Sequence, residues 1–359
     1  MTAARPTRVL LVDDSAIVRK LLGDALRTEP DIEVVGGASD PYVARDMIVR
    51  HQPDLITLDI EMPRMDGLSF LKRLMAHHPI PAIVISSLTQ TGSAASVEAL
   101  RLGAIDVIAK PGGPQSVGQV TERLKQRIRA FRASPRVRLA ATVPRQTPAE
   151  DRTGPTLVRQ GKDAKGLIAI GASTGGTQAI EALLTRLPAD LPPIVIVQHM
   201  PAGFTKAFAD RLNTVCPMRV KEAENGDPVE RGSVLVAPGD HHMVIERQGI
   251  RLSARLTQGP QVHHQRPAVD VLFASVARLM GVPTVAALLT GMGADGADGM
   301  VALRQSGAIT IAEDESSCVV FGMPKEAIAR GGAVHVTSLL AMPQLMLGAF
   351  GQLAHSRAS

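Results

Sequence analysis

Tryptophan is absent from the 359 residues, tyrosine occurs once and phenylalanine seven times. So few aromatic rings offer no stacking platform for unpaired bases, which makes single-stranded nucleic acid a poor match as a ligand. Cysteine is almost as scarce. Cys216 and Cys318 are too few and too far apart for a disulfide framework or a zinc site, which points to a reducing compartment. No apolar run approaches the roughly 18 residues of a membrane span, and the first short one, 9–12, is cut by Asp13 too early for a secretory leader. A cytoplasmic protein with no direct membrane insertion is therefore expected. What remains is ordinary globular composition, 45% hydrophobic and 20% charged, at a length that suits two domains.

The net charge of +5 suggests a polyanionic partner until its position is considered. Residues 1–122 hold 12 Lys and Arg against 15 Asp and Glu, and residues 166–359 hold 15 against 16. The intervening 123–165 hold 12 against 3. Two mildly acidic bodies are thus joined by a basic connector. The stretch 134–165 also carries Pro135, Pro144, Pro148 and Pro155 with no sustained apolar period, and reads as an exposed linker. Residues 124–131 have helical spacing and close the first body.

Both bodies alternate short β-rich runs with longer helical patterns, the signature of parallel sheets built from βαβ units. In the first, strands are expected at 8–12, 33–38, 55–58, 82–86 and 106–109, with helices such as 15–27 and 67–77. In the second, the clearest strands are 166–170, 193–198, 233–237 and 284–289. Open sheets of this kind bind ligands beyond the carboxyl ends of their strands.

Three carboxylates fall at such ends in the first body: Asp13 and Asp14 after LLV, and Asp59 after LITL. Taken singly they read as helix caps. In a five-stranded doubly wound sheet, however, strands 1 and 3 are neighbours and the acids converge. Their mutual repulsion calls for cations: Mg²⁺ suits the oxygen ligands, and Lys110 after the fifth strand adds a second positive charge. Ser86 ends the fourth strand with a hydroxyl donor. A phosphoryl group fits this pocket, with Asp59 as nucleophile.

In the second body a strand runs into Gly171-Ala172-Ser173-Thr174-Gly175-Gly176 and then a helical pattern. A serine between glycines at a strand-to-helix turn serves either a phosphate loop or nucleophilic attack, and the motif alone does not choose. The neighbouring strand ends choose. One is followed by His199 in QHMP, another by a Gly-rich turn holding Asp295. A lone histidine or aspartate there is ordinarily structural, but the three together are the members of a Ser-His-Asp triad. Their chain order differs from that of α/β-hydrolases, which disfavours an ordinary lipase or esterase. Gly291-Met292-Gly293 offers amides for an oxyanion, or simply a tight turn.

Two resemblances follow from these motifs. DDS at 13–15, DIEMPRMDG at 59–67, Ser86-Ser87 and Lys110-Pro111 together resemble the response-regulator receiver domain over 7–124. That resemblance implies Asp59 as phosphoacceptor, Asp13, Asp14 and Asp59 as Mg²⁺ ligands, and Ser86 and Lys110 as sensors of the phosphoryl group. Val107, where receivers often carry an aromatic, departs from the pattern, so transmission is expected through the surface around strands 4 and 5. GASTGG at 171–176, QHMP at 198–201, RPAVDVLF at 266–273 and LTGMGADGADGM at 289–300 resemble the chemotaxis protein-glutamate methylesterase family, as do APGDHHM at 237–243 and EDESSCVVFGMP at 313–324. This second match covers about 165–350. It implies a triad of Ser173, His199 and Asp295 and an oxyanion-hole amide at Met292, with no cofactor for the hydrolase.

The expected architecture is α/β throughout: two doubly wound parallel-sheet domains, a flavodoxin-like receiver at 7–124 and a Rossmann-like methylesterase domain at 165–355, joined by a basic linker at 125–164. Resemblance also implies partners and regulation. The substrates are methyl-accepting chemoreceptors, whose γ-glutamyl methyl esters are hydrolysed to methanol and whose specific glutamines are deamidated. A chemotaxis histidine kinase is the phosphodonor, and the unphosphorylated receiver covers the hydrolase cleft. A DNA-binding regulator is disfavoured because the second body is α/β and slightly acidic, so no nucleic acid is expected. The pairs His241-His242 and His263-His264 are weighed as metal ligands and set aside, because adjacent strand residues face opposite ways. A substrate contact at Gln265, where the family often has a basic residue or histidine, is left open. Cys318 is expected as a buried small hydrophobe.

Overall fold

The computed structural model describes residues 5–62, 64–87, 89–110, 114–133 and 166–355. The chain divides into two compact units, Met1–Arg145 and Gln146–Ser359.

The first unit alternates strand and helix: β1 (Thr7–Val12), α1 (Ala16–Arg27), β2 (Ile32–Ala38), α2 (Pro41–His51) and β3 (Leu55–Asp59). It continues with α3 (Gly67–His77), β4 (Ala82–Ser86), α4 (Gln90–Leu102), β5 (Asp106–Ala109) and α5 (Pro114–Ala133). The strand order is β2-β1-β3-β4-β5, every pairing parallel. β3 and β4 are buried at every residue, as strands covered by helices on both faces must be, which is why LITLD and AIVIS are mostly apolar up to their last residue and do not alternate with exposed polar positions. Helix starts are fixed by capping oxygens: Ser15 accepts from Val18 N, Asp40 from Tyr42 and Val43 N, and Asp66 from Ser69 N. α1 is therefore capped by Ser15, which leaves the two preceding acids for other work.

Residues 124–131, read as the helix that closes the first body, lie in α5, which runs on to Ala133, past the 125 at which the linker was expected to begin. The positive charge of 125–133 is largely consumed by the first unit. Lys125 pairs with Glu29 at 2.7 Å, Arg127 with Asp106 at 2.7 Å, and Arg129 with Asp31 at 3.0 Å. Arg132 reaches Asp31 at 3.9 Å. Lys125, Arg129 and Arg132 on one helix face meet the acids of the α1–β2 turn, and Arg127 on another meets Asp106 of β5; together they fasten α5 to the unit, a network worth more than isolated surface pairs. The rest of the expected linker, with Arg136 and Arg138, lies outside the described residues.

The second unit begins β6 (Leu167–Ala172), α6 (Gly176–Leu184), β7 (Ile194–Gln198), α7 (Phe204–Val215), β8 (Arg219–Glu222) and β9 (Ser233–Val236). A hairpin follows, β10 (His242–Gln248) and β11 (Arg251–Thr257), and then α8 (Val269–Ala277), β12 (Thr284–Leu288) and α9 (Ala297–Gln305). β13 (Ile309–Glu313), α10 (Met323–Ala329), β14 (His335–Thr337) and α11 (Met342–His355) complete it. The seven-stranded parallel sheet has the order β14-β13-β12-β6-β7-β9-β8, with the antiparallel β10–β11 pair separate. The chain leaves β6 toward β7 on one side and later returns to place β12 on the other, so β6 stands at the switch point where such sheets bind ligands. Fully buried Val269, Leu272 and Phe273 of α8 pack with Leu167, Leu288 and Met300 beneath that point, each such side chain contributing about 2 kcal/mol. Both units thus have the doubly wound parallel architecture expected. The hairpin and β8, β13 and β14 were not among the strands singled out. β8 (RVKE) is a short polar edge, and β14 has only three residues.

Candidate active site

In the first unit β1 and β3 are hydrogen-bonded neighbours, and Asp13 and Asp59 stand beside each other at their carboxyl ends. Asp59 is fully buried; Asp13 is 4% exposed, and Asp14 faces solvent. Lys110 Nζ lies 2.7 Å from Asp59 Oδ2 and 4.0 Å from Asp13 Oδ2. The second oxygens accept backbone amides, Asp59 Oδ1 from Glu61 at 3.0 Å and Asp13 Oδ1 from Ser15 at 2.9 Å. Burial, reinforced by the Asp59 charge, pushes the Asp13 carboxyl up to about 6. Burial also raises Asp59, against the downward pull of Lys110. For Lys110, burial acts downward but the Asp59 and Asp13 carboxylates outweigh it, so its ammonium is held above the usual range. Asp13 Oδ2 has no hydrogen-bond partner among the described residues, and Asp13, Asp14 and Asp59 offer ligand oxygens all within 4.8 Å of one another. Ser86 is fully buried at the end of β4, while Ser87 bonds the Glu61 carboxylate at 2.6 Å. Val107 is buried in β5 against Val84.

In the second unit three adjacent strands carry the residues of interest. Ser173 follows β6, His199 follows β7 on one side, and Asp295 lies in the turn after β12 on the other. Ser173 is 2% exposed and its Oγ has no hydrogen-bond partner among the described residues. The turn that carries it depends on Gly175, whose φ of 78° places it in the left-handed region at the start of α6. Gln198 grips the same turn by donating from Nε2 to the Ser173 carbonyl at 2.8 Å.

His199 Nε2 contacts Asp295 Oδ2 at 2.7 Å. With Nε2 committed as donor to the carboxylate, the ring's lone pair is at Nδ1, the reverse of the more familiar triad orientation. Asp295 is held by more than the imidazole. Its Oδ2 also accepts from Val269 N at 2.7 Å and its Oδ1 from Asp270 N at 2.9 Å. The carboxylate therefore caps α8, whose own N-cap, Ala268, supplies no side-chain bond. Asp270 returns the arrangement by accepting from Gly299 N at 2.7 Å in the first turn of α9. Burial pushes the Asp295 carboxyl up, but the His199 contact and the two amides outweigh it and hold it below the usual carboxylate range. Asp270 goes the other way, raised by burial and by the adjacent Asp295 charge.

The extended segment after β12 runs against the serine. Thr290 O accepts Ser173 N–H at 3.0 Å, and a Cβ added at Gly291 would stand 2.8 Å from Ser173 Cβ. Only glycine permits that approach. Gly291 N bonds Val320 O at 3.0 Å and Gly291 O accepts from Gly322 and Met323. These contacts fix the strand and leave the Met292 amide outside the ladder.

The histidine pairs behave differently from the expectation. His242 is buried in β10, with Nδ1 accepting from Ala268 N at 3.2 Å and Nε2 donating to Pro260 O at 3.0 Å. His263 and His264 lie in a turn with positive φ rather than in a strand, so the opposite-faces argument does not apply to them. His263 in fact lies beside acids, 3.0 Å from Asp270 Oδ2 and within 4.8 Å of an Asp295 oxygen. Those carboxylates are already bonded to backbone amides and His199. Gln265 joins Val262 in a local two-way backbone pairing. Cys318 is buried, as a small hydrophobe would be.

The chain matches the family described as CheB methylesterase over residues 168–346 and the response regulator receiver domain over 9–122. It is 52% identical over 337 residues to a protein-glutamate methylesterase/protein-glutamine glutaminase of Syntrophus aciditrophicus, covering 92% of this chain and 96% of that protein. The chain belongs to the protein-glutamate methylesterase/protein-glutamine glutaminase family. The family member of Escherichia coli K12 is 49% identical over 343 residues, covering 95% of this chain and 96% of that one. Among solved structures, the catalytic domain of the Thermotoga maritima CheB methylesterase aligns with a TM-score of 0.50 at 40% identity, over 51% of this chain and 98% of that domain. Thr290, Asp270, Gln198 and Glu313 were given no role from sequence, although all four stand inside quoted motifs. No helix among the described residues is long and apolar enough to cross a membrane.

Proposed function

We propose that the chain is a cytoplasmic, phosphorylation-regulated serine hydrolase. It demethylates γ-glutamyl methyl esters of chemoreceptors, releasing methanol, and deamidates specific receptor glutamines. The observation that carries this reading is the 2.7 Å His199–Asp295 contact, made across the strand that bears Ser173, in a chain of this family. Ser173 Oγ attacks the ester carbonyl while His199 Nδ1 takes its proton, and Asp295 stabilises the resulting imidazolium. The Met292 amide receives the tetrahedral oxyanion. Collapse expels methanol, or ammonia from a glutamine, with the proton returned by His199. Water then attacks the acyl-serine, gives its proton to Nδ1, and frees glutamate and Ser173. One acyl carbon with a small leaving group serves both substrates.

The receiver, 7–124, restrains the hydrolase, 165–355, until Asp59 accepts a phosphoryl group from a histidine kinase. Asp13, Asp14 and Asp59 fit a Mg²⁺ ion: an orphaned buried Asp13 Oδ2 and clustered carboxylate oxygens are the donors a hard cation takes. When bound, the ion supplies positive charge against the phosphoryl oxygens. Lys110 and Ser86 sense the phosphoryl group. Asp59→Asn is expected to abolish phosphoryl incorporation from a small acyl phosphate and to hold methanol release about 10-fold below the stimulated wild type. EDTA has the same effect on the wild type. Methanol release from methyl-labelled receptor membranes measures both, and a wild type that releases none when phosphorylated overturns the reading.

A further inference from the structure

Glu313, the last residue of β13, is fully buried, and the reaction just described does not use it. A carboxyl at such a place is costly unless something repays it. Its Oε2 accepts the Thr290 N–H at 2.8 Å, while Oε1 has no partner in good hydrogen-bond geometry among the described residues, with only the Ser317 and Cys318 side chains nearby. The sheet explains why a side chain is needed there. The β12–β13 ladder ends at the pair Leu288–Ala312, so no strand carbonyl continues it to the Thr290 amide. On the other side, toward β6, the pairing does continue: Leu289 N donates to Gly171 O at 2.9 Å, and Thr290 O accepts from Ser173 N at 3.0 Å.

Thr290 is the junction of three segments. Its carbonyl holds the nucleophile's own amide, and its Oγ1 donates to Thr174 O at 3.0 Å while accepting from Val320 N at 2.9 Å. The next residues, Gly291 and Met292, enter the proposed oxyanion strand. A shift of Thr290 therefore moves Ser173 and the Met292 amide relative to each other.

We propose that Glu313 is a positioning residue of the hydrolase, clamping the Thr290 amide and thereby setting the spacing between Ser173 and the oxyanion-binding strand. This rests on the reading of Ser173 and Met292 given above. Burial, only partly offset by the Thr290 amide and by the Ser317 and Cys318 side chains, pushes this carboxyl up to about 6. The adjacent Asp314 charge adds to the rise. At neutral pH the chain thus keeps a buried anion where glutamine, with the same shape and acceptor, carries no charge. The folded-state value lies above the ordinary 4.5, so stability falls as pH rises through the window from 4.5 to about 6. Glu313→Gln accordingly raises the melting temperature at pH 7.5, by about 5 °C, and not at pH 4.

The test uses the full chain with three variants: Glu313→Gln keeps the acceptor, Glu313→Asp keeps the charge but withdraws the acceptor by one methylene, and Glu313→Leu removes both. Methanol release is measured alongside the rate at which a fluorophosphonate labels Ser173. Glu313→Gln is expected to stay within about 3-fold of wild type, whereas Glu313→Asp and Glu313→Leu lose about 10- to 100-fold in kcat and in labelling, with KM within 2-fold. Wild-type kcat in Glu313→Asp, or a Glu313→Gln enzyme as slow as Glu313→Asp, overturns the proposal, and that comparison stands even if Glu313→Leu does not fold. Absence of labelling at Ser173 in the wild type instead overturns the underlying reading of the nucleophile.

Discussion

Ser173→Ala is expected to lower receptor demethylation by on the order of 10⁴-fold while leaving the fold intact. Activity falls because no other hydroxyl can replace an atom delivered by β6, the strand that lies between those leading to His199 and Asp295. Stability does not fall, because Ser173 Oγ has no hydrogen-bond partner in its buried position and removing an unsatisfied hydroxyl relieves a cost rather than breaking a bond. Methanol release from labelled receptor membranes, compared with thermal unfolding of the same preparation, reads both effects. Equal release from wild type and variant excludes the serine hydrolase.

Asp295→Asn is expected to damage both activity and fold. The carboxylate accepts from His199 Nε2, Val269 N and Asp270 N, and its two oxygens divide those donors between them. An amide has one oxygen, so in either orientation an NH₂ group faces an N–H. Turned toward His199, it favours the tautomer protonated at Nδ1, which removes the base; this predicts a loss on the order of 10³- to 10⁴-fold in kcat. Turned toward Asp270, it leaves an amide of the α8 first turn unpaired, at about 2 kcal/mol. The melting temperature of the second unit then drops by about 4–8 °C. Because Asp295 is held below the ordinary 3.8, its contribution is complete above that value and is lost as the pH falls through the depressed one. The stability difference between wild type and variant therefore persists at neutral pH and shrinks only in acid. Unchanged melting with reduced kcat would assign Asp295 to catalysis alone.

Parts of this arrangement were legible because they are local. LLVDD, LITLD and IVIVQH announce their strands through short apolar runs, and the polar residue that follows each run lies at a carboxyl end whatever the strand order. The start of α1 was legible in the same way, from Ser15. The basic stretch shows the opposite case. Its charge could be counted from the sequence, but the pairing of Lys125, Arg127 and Arg129 with Glu29, Asp106 and Asp31 depends on how α5 packs, and it assigns those residues to the first unit rather than to the connector.

The hydrolase unit divides along the same line. By itself, the sequence determined the doubly wound α/β class, the two bodies, and the residue types standing after each strand, because hydrophobic period and Gly-rich turns act over a few positions. Tertiary structure decided which of those residues meet. β6 lies between β12 and β7, so a serine and its partners come from three strands, and His199 reaches Asp295 across 96 positions of chain. Only packing decided that Asp295 caps α8, that Nδ1 carries the imidazole lone pair, and that Glu313 takes the Thr290 amide where the strand ladder ends. Each of these is a hydrogen bond that a buried polar group must find within about 3 Å, and strand order and helix placement, not sequence spacing, determine which donor is there.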